Sequence, residues 1–451
     1  MRLIKAAAAL GVAFMLISCT KSAKPPTSAR VAGTPPPSVL SELRAASSFQ
    51  QATATPQAGG YIIADPAFTP LPGARALYGT LGGAAYEVEI PGNWNGELVL
   101  YEHGFTGNDP VLFVQPPPIR SHIIQAGFAW AASSFSASGY APDVGLRDSL
   151  TLLDWFKNSI GVPTRTYIYG TSMGGHIVVS AMEQYPQLFD GALSECGVVM
   201  GEDEINYILS WVLLAQYLTG VQLYPITDAN AYEAAVHSQV LPALGTPTSP
   251  TLVGRQFEDV IANLTGGPRP WREKGYLDRL GGNFDLPATE DPQHPSIPFL
   301  AASNVTVRYH IDPGLGLDDD TLNGGVLRVP GFGFARDPQQ HPDYAPRTGR
   351  LQAPLLTIHT TGDHFVPISQ EVAYRQLVDA AGDGGFLVQR AIRRPDHCQF
   401  SDAERIRAFD DLVNWVENGV QPAGDDFSSG DLRDVGLDFT TPLLPGDPGV
   451  E

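Results

Sequence analysis

The stretch Tyr167-Ile168-Tyr169-Gly170-Thr171-Ser172-Met173-Gly174-Gly175 constrains this chain more than any other. Three β-formers run into Gly-x-Ser-x-Gly, and a helix-compatible segment, His176 to Gln184, follows. That order is the sequence form of a nucleophile elbow, a serine on a tight strand-to-helix turn with its hydroxyl pushed into a cleft. The outer glycines fit because such a turn leaves no room for side chains beside the serine. In a chain with 47 glycines the five-residue motif alone could be a Gly/Ser-rich loop. The strand before it and the helix after it are what mark Ser172 as a nucleophile.

Strand and helix patterns alternate around the elbow. Tyr86 to Ile90 alternates as a half-exposed strand should. Leu98 to Tyr101 is a continuous apolar run of the kind found in buried parallel strands. Phe128–Ala132, Thr166–Tyr169 and Gly191–Cys196 read as further strands, and Val144–Ile160 as a helix with Leu150, Leu153, Trp155 and Phe156 on its apolar face. Such alternation predicts an α/β fold, a mostly parallel sheet with helices on both faces. From Gly197 to Gly349 the rhythm breaks into Pro/Gly-rich, irregular sequence with one apolar segment, Ile205 to Leu218. It resumes with a strand at Pro354–His359, a helix at Gln370–Ala380, a strand at Phe386–Ile392 and a helix opened by the Ser401/Glu404 capping box. The organisation expected is a core over 60–196 and 350–424 that carries an inserted cap over 197–349. Residues 425–451, acidic and Gly/Pro-rich, are expected to form a loosely packed tail.

The N-terminus reads as a processing signal. Arg2 and Lys5 precede an apolar run, Ala6 to Ile17, that is too short to span a bilayer comfortably. Leu16-Ile17-Ser18-Cys19 resembles the lipobox of bacterial lipoproteins, which implies lipidation at Cys19 and a membrane anchor; an ordinary secretory cleavage near Ser18 is the alternative, and both export the protein. Residues 20–59, rich in Pro, Ala, Ser and Thr, read as a flexible tether. A formal net charge of −20 argues against nucleic acid or anionic lipid held through a basic surface. With Cys19 lipidated, only Cys196 and Cys398 remain, and in an oxidising compartment they read as a disulfide candidate, with two buried free thiols as the alternative.

A serine hydroxyl needs a base, usually a histidine held in one tautomer by a carboxylate. On a parallel sheet these groups lie beyond the C-terminal ends of strands. The strand ending at His359 runs into Thr360-Thr361-Gly362-Asp363, and the strand ending at Ile392 into Arg393-Arg394-Pro395-Asp396-His397. Asp363 is therefore expected as the acid and His397 as the base. Among the rivals, Asp396 sits too close in sequence to His397 to bend onto its ring, His176 belongs to the elbow helix, and His359 and His364 flank the acid. The oxyanion needs two N–H donors, and the Met173 amide and the Phe105 amide of His103-Gly104-Phe105 are the candidates. No metal or organic cofactor is implied, since Asp318-Asp319-Asp320 lacks the spaced ligands of a calcium loop.

His103-Gly104-Phe105, the Gly170–Gly175 turn, Thr361-Gly362-Asp363 and His397-Cys398 together resemble the α/β-hydrolase superfamily over about residues 84–200 and 350–420. That resemblance implies a Ser172–Asp363–His397 triad. The His397-Cys398 pair also resembles the tannase and feruloyl esterase branch, in which a disulfide links the neighbours of the catalytic histidine and serine. Here Thr171, not cysteine, precedes Ser172, and the available partner for Cys398 is Cys196, a bond that would pin the histidine loop to the sheet. The expectation is an exported hydrolase of small or polymeric carboxylic esters. An exported peptidase of the same fold and a non-catalytic surface-binding lipoprotein are the alternatives. The aromatic segment Ile205–Leu218 reads either as a wall of the substrate pocket or as packing between cap and core.

Overall fold

The structure, a computed structural model, describes residues 60–246, 248–289, 296–344 and 346–442. The signal segment, Cys19, the tether and the end of the acidic tail lie outside the described residues.

Eight strands form one sheet: β1 Ala74–Leu81, β2 Ala84–Pro91, β3 Leu98–Glu102, β4 Ala129–Ser133, β5 Thr166–Thr171, β6 Gly191–Glu195, β7 Leu355–Thr360 and β8 Leu387–Ile392. Their spatial order is β1-β2-β4-β3-β5-β6-β7-β8. β1 and β2 pair antiparallel, as do β2 and β4; every later pairing is parallel. This is the mostly parallel sheet that the alternating pattern predicts, in the arrangement that the α/β-hydrolase resemblance implies. All residues of β3, β4, β6, β7 and β8 are buried, which explains why Leu98–Tyr101 in β3 reads as an apolar run rather than as alternation.

The period-2 geometry of a strand sends neighbours to opposite faces. Leu98, Leu100 and Ile168 enter one core with Leu150, Phe156 and Ile177. Val99, Tyr101, Tyr167 and Tyr169 enter the other with Phe409 and Leu412. The helices that close the first face are α2 Pro142–Ser159, α3 Met173–Gln184 and α7 Ser369–Ala381, whereas α1 Arg120–Gln125 and α8 Asp402–Asn418 close the second. The capping box at Ser401 and Glu404 is formed in both directions, fixing where α8 begins.

Between β6 and β7 the chain leaves the sheet and builds a core of its own. Helices α4 Asp203–Thr219, α5 Leu252–Leu264 and α6 Arg272–Asp285 pack around the fully buried Trp211. Its ring lies 5.2 Å from Phe257 and 5.5 Å from Phe284, centroid to centroid. The irregular sequence of this region therefore hides further helices, of which α5 and α6 are the longest among the described residues. α5 has a cap, Thr251 Oγ1 accepting from the Gly254 N–H at 3.0 Å, but Pro247 and Pro250 before it mask the signal. The run Asp318–Asp320 has local work: Asp318 accepts from the Thr321 N–H at 2.8 Å, capping a short helix, and Asp319 accepts from the Ile311 N–H at 2.9 Å.

The tail departs from expectation. Phe427, Leu432, Val435 and Phe439 are all buried. The Asp425 carboxylate accepts from the N–H groups of Ala391, on the edge strand β8, and of Gly436, at 2.8 and 2.9 Å. Residues 425–442 are thus packed along the sheet edge by a few apolar anchors set among Gly, Ser and Asp.

Candidate active site

β5 ends at Thr171, α3 begins at Met173, and Ser172 between them has φ 57° and ψ −117°. A side chain bearing Cβ avoids that region at a cost of roughly 1–3 kcal/mol. The surroundings hold it there. The Ser172 N–H donates to the Glu195 carbonyl at 2.9 Å, and the Ser172 carbonyl accepts from Gly175 at 2.8 Å and Val198 at 3.2 Å. The close approach also dictates the glycines: a Cβ on Gly174 would stand 2.0 Å from the Glu102 carbonyl oxygen.

The parallel pairing of β7 with β8 sets Thr360 opposite Ile392, so the loops leaving the two strands emerge side by side. Asp363 lies on the first loop and His397 on the second. The Ser172 hydroxyl donates to His397 Nε2 at 2.8 Å, and His397 Nδ1–H donates to Asp363 Oδ2 at 2.6 Å. Asp363 Oδ1 is occupied by the backbone N–H groups of Phe365 (2.8 Å) and Val366 (3.0 Å). Burial pushes the fully buried Asp363 carboxyl up, but His397, His359 and the Phe365 N–H outweigh it and hold it below the ordinary carboxylate range.

The rival residues have other partners. Asp396 pairs with Arg279 at 2.6 Å. His176, buried on α3, hydrogen-bonds Tyr140 Oη through Nδ1 at 2.8 Å. His364 Nε2–H donates to the Arg272 carbonyl at 3.0 Å, and burial together with Arg269 pulls its ring well below the usual histidine range. His359 lies beneath Asp363, fully buried, with Nε2 3.6 Å from Asp363 Oδ2.

Gly104 sits close against the elbow, where a Cβ would be 3.1 Å from Ser172 Cβ. Phe105 lines the same pocket as Ser172. Among the described residues neither the Met173 nor the Phe105 N–H meets a protein acceptor. His103 stacks on Phe135 with centroids 4.0 Å apart, which fixes the loop. Behind it the Glu102 carboxyl is fully buried and accepts from the Ser149 hydroxyl at 2.6 Å.

Cys196 and Cys398 are joined, with an S–S distance of 2.06 Å and a Cα–Cα distance of 5.2 Å. Cys196 directly follows β6, and Cys398 follows His397, so the bond ties the histidine loop to the sheet. Among the described residues these two sulfurs and His397 are the one cluster of metal-type donors, and the sulfurs are bonded to each other.

The cavity above Ser172 is small, about 20 Å³, and walled by Phe105, Tyr140, Ile205, Phe299 and Phe365, with Glu204 as its buried carboxyl. Ile205 and Phe299 also line a second, apolar cavity of about 190 Å³ within the excursion, together with Val212, Ile226 and Val329. Burial, with the Asp363 charge adding, pushes Glu204 well above the usual carboxylate range, and its Oε2 accepts from Gln370 Nε2 at 2.7 Å. Sequence patterning did not single out Glu204, because nothing local distinguishes it from the other acidic residues that open α4.

Residues 129–210, from β4 through the elbow into α4, match the prolyl oligopeptidase family. An o-phthalyl amidase of Xanthobacter agilis is 21% identical over 404 residues, covering 76% of this chain and 87% of that protein. Feruloyl esterase B of Aspergillus oryzae is a similar solved structure: 17% identity, 78% of this chain, 81% of that one, TM-score 0.40. An acylaminoacyl peptidase of Pyrococcus horikoshii is another: 12% identity, 79% of this chain, 44% of that one, TM-score 0.39. With its strand order and its elbow, the chain has the α/β-hydrolase fold.

Proposed function

We propose that this protein is an exported serine hydrolase that cleaves carboxylic esters through an acyl-enzyme. The observation that carries the reading is the unbroken hydrogen-bonded chain from the elbow serine through His397 to Asp363. Ser172 attacks the ester carbonyl while His397 Nε2 takes the hydroxyl proton. The tetrahedral oxyanion is met by the Met173 and Phe105 amides, whose N–H groups meet no acceptor among the described residues. His397 then returns its proton to the leaving alkoxide, releasing the alcohol. Water, deprotonated by the same ring, attacks the acyl-enzyme and frees the acid and Ser172. Asp363 holds the ring in the Nδ1–H tautomer throughout and steadies the imidazolium.

The excursion between β6 and β7 serves as a cap over this chemistry. A cavity of about 20 Å³ holds roughly one water, so a substrate displaces cap side chains such as Phe299 to reach Ser172. The adjoining apolar cavity of about 190 Å³ exceeds the roughly 150 Å³ that accommodates a benzene ring, and it suits an aromatic or short aliphatic group on the substrate. Residues 1–19 serve as a lipoprotein signal, leaving Cys19 as a lipidated N-terminus on the cell envelope.

Likeness to an amidase over most of the chain favours a second reading, amide hydrolysis. The difference lies in the leaving group, since an amine needs fuller protonation before it departs. Matched p-nitrophenyl ester and p-nitroanilide substrates, assayed with wild type and Ser172→Ala, separate the readings. The ester reading expects rapid ester turnover, slow anilide turnover, and a loss in the alanine variant of roughly 10³-fold or more in kcat. Comparable amide turnover would replace the ester reading by the amide one, and activity surviving in Ser172→Ala would sink both.

A further inference from the structure

The hydrogen-bonded chain at Ser172 does not stop at Asp363. Below it lies His359, at the end of β7, with no exposed surface. Its Nε2 is 2.9 Å from the Val366 carbonyl oxygen. A carbonyl only accepts, so Nε2 carries a hydrogen. Its Nδ1 faces Glu371 Oε1, on α7, at 3.4 Å. Neither of these two atoms has a hydrogen-bond partner. The other oxygen, Glu371 Oε2, accepts from Thr357 Oγ1 at 2.7 Å and from Gln389 Nε2 at 2.6 Å. A bare ring nitrogen facing a bare carboxylate oxygen would set two lone pairs against each other between residues with no exposed surface, a buried arrangement that proteins avoid. One proton therefore belongs between Nδ1 and Oε1.

Where that proton resides follows from the charges around the ring. Two fully buried carboxylates flank it, Glu371 on the Nδ1 side and Asp363 Oδ2 at 3.6 Å on the Nε2 side. On the other side of Asp363 Oδ2 is His397, while Arg269, Glu204 and His364, from the excursion and the Asp363 loop, act on Asp363 at longer range. We propose that His359 is a positioning residue held as the imidazolium, its Nδ1–H turned to Glu371, whose positive charge beneath Asp363 keeps that carboxylate ionised and aimed at His397. Burial alone would strip this ring of its charge, but Glu371 and Asp363 outweigh burial and hold it above the ordinary histidine value.

The consequence for the reaction rests on the hydrolase reading given above. A cation behind Asp363 opposes a second proton on the His397–Asp363 pair. Neutralising it makes that proton easier to hold, so the base remains protonated, and the enzyme idle, to a higher pH. His359→Gln keeps a donor for the Val366 carbonyl and removes the charge. Its kcat/KM–pH profile is expected to show the acid limb moved up by about one pH unit, chiefly in kcat, with KM little changed. A residue that merely fills space would lower the rate evenly at all pH values, and an unmoved acid limb overturns the proposal.

Nitrogen-15 NMR of the wild-type protein with ring-labelled histidine supplies a readout independent of turnover, with His359 assigned through its proximity to Val366. Both ring nitrogens of His359 are expected to be protonated at neutral pH, where an ordinary histidine is mostly neutral. One protonated and one bare nitrogen at neutral pH would place the proton on Glu371 and overturn the proposal, whether or not the glutamine variant folds. A protein without hydrolytic activity would sink the hydrolase reading and leave this spectrum to stand or fall separately.

Discussion

Glu102 shows how a single residue beneath the site can couple the fold to pH. It ends β3, immediately before the His103-Gly104-Phe105 loop, and its carboxyl is fully buried. Burial pushes it up to about 8, Ser149 opposing and Asp148 adding. In the unfolded chain it would release its proton near 4.5. Folding therefore retains a proton that the unfolded chain has already lost between those values. The stability this group supports is complete below about pH 4.5 and declines as pH rises to about 8. Glu102→Gln, which keeps an acceptor for Ser149 and cannot ionise, is expected to match wild type near pH 5 and to exceed it near pH 8 by on the order of 2–4 kcal/mol. Urea unfolding midpoints at the two pH values test this; an equal offset at both would show that Glu102 does not titrate as described. At this scale the sequence was readable where the chemistry is local. Gly170 to Gly174 declares Ser172 because the turn itself excludes side chains, and Asp363 and His397 follow from strand-end logic. His359 and Glu204 were not readable in these roles, because Glu371, which faces the His359 ring, and Gln370, which donates to Glu204, both reach them from α7 by tertiary contact.

Among the elements, the strands of the sheet interior were the easiest to read and the edges the hardest. β3 and β5 are short apolar runs bounded by turns, and their burial on both faces leaves few alternatives. β1 is only partly buried along its length, with a Gly and several polar residues, so its sequence carries little pattern. The packed tail escaped for a different reason. Its four apolar anchors are sparse among acidic residues and glycines and dock into positions that the sheet edge defines, so composition alone reads as a loose tail. That docking matters for stability. The Asp425 N–H donates to the Gln389 carbonyl and its carboxylate takes the Ala391 N–H, so the tail satisfies backbone groups of the edge strand β8. Fully burying a side chain such as Phe or Leu contributes about 1.5–3 kcal/mol, and an uncovered edge invites pairing with other chains. A protein truncated after Gly424 is expected to lose several kcal/mol, to melt well below wild type and to aggregate on warming. An unchanged melting midpoint would show that the tail contacts contribute nothing.

For the whole molecule, a net charge of −20 opposes adsorption to anionic lipid. Among the described residues no helix is long and apolar enough to cross a membrane. Attachment to an envelope in the proposed reading thus depends on acyl chains at Cys19. Cys19→Ala, produced in a bacterial host, is expected to move from the membrane fraction to the soluble fraction; unchanged partition, resistant to a high-salt wash, would refute the lipid anchor. The excursion was the least legible part of the chain, since its helices pack on one another around Trp211 between Pro- and Gly-rich connections. It is also the part that the Cys196–Cys398 bond encloses. Those residues are 202 apart in sequence, so the chain between them forms a closed covalent ring that contains the whole excursion, Asp363 and His397. One cut by a foreign protease anywhere on that ring opens it without detaching anything: both new ends stay tethered through the sulfur bridge. The walls of the substrate pocket could thus be nicked while the acid and base remain part of the same molecule as the serine.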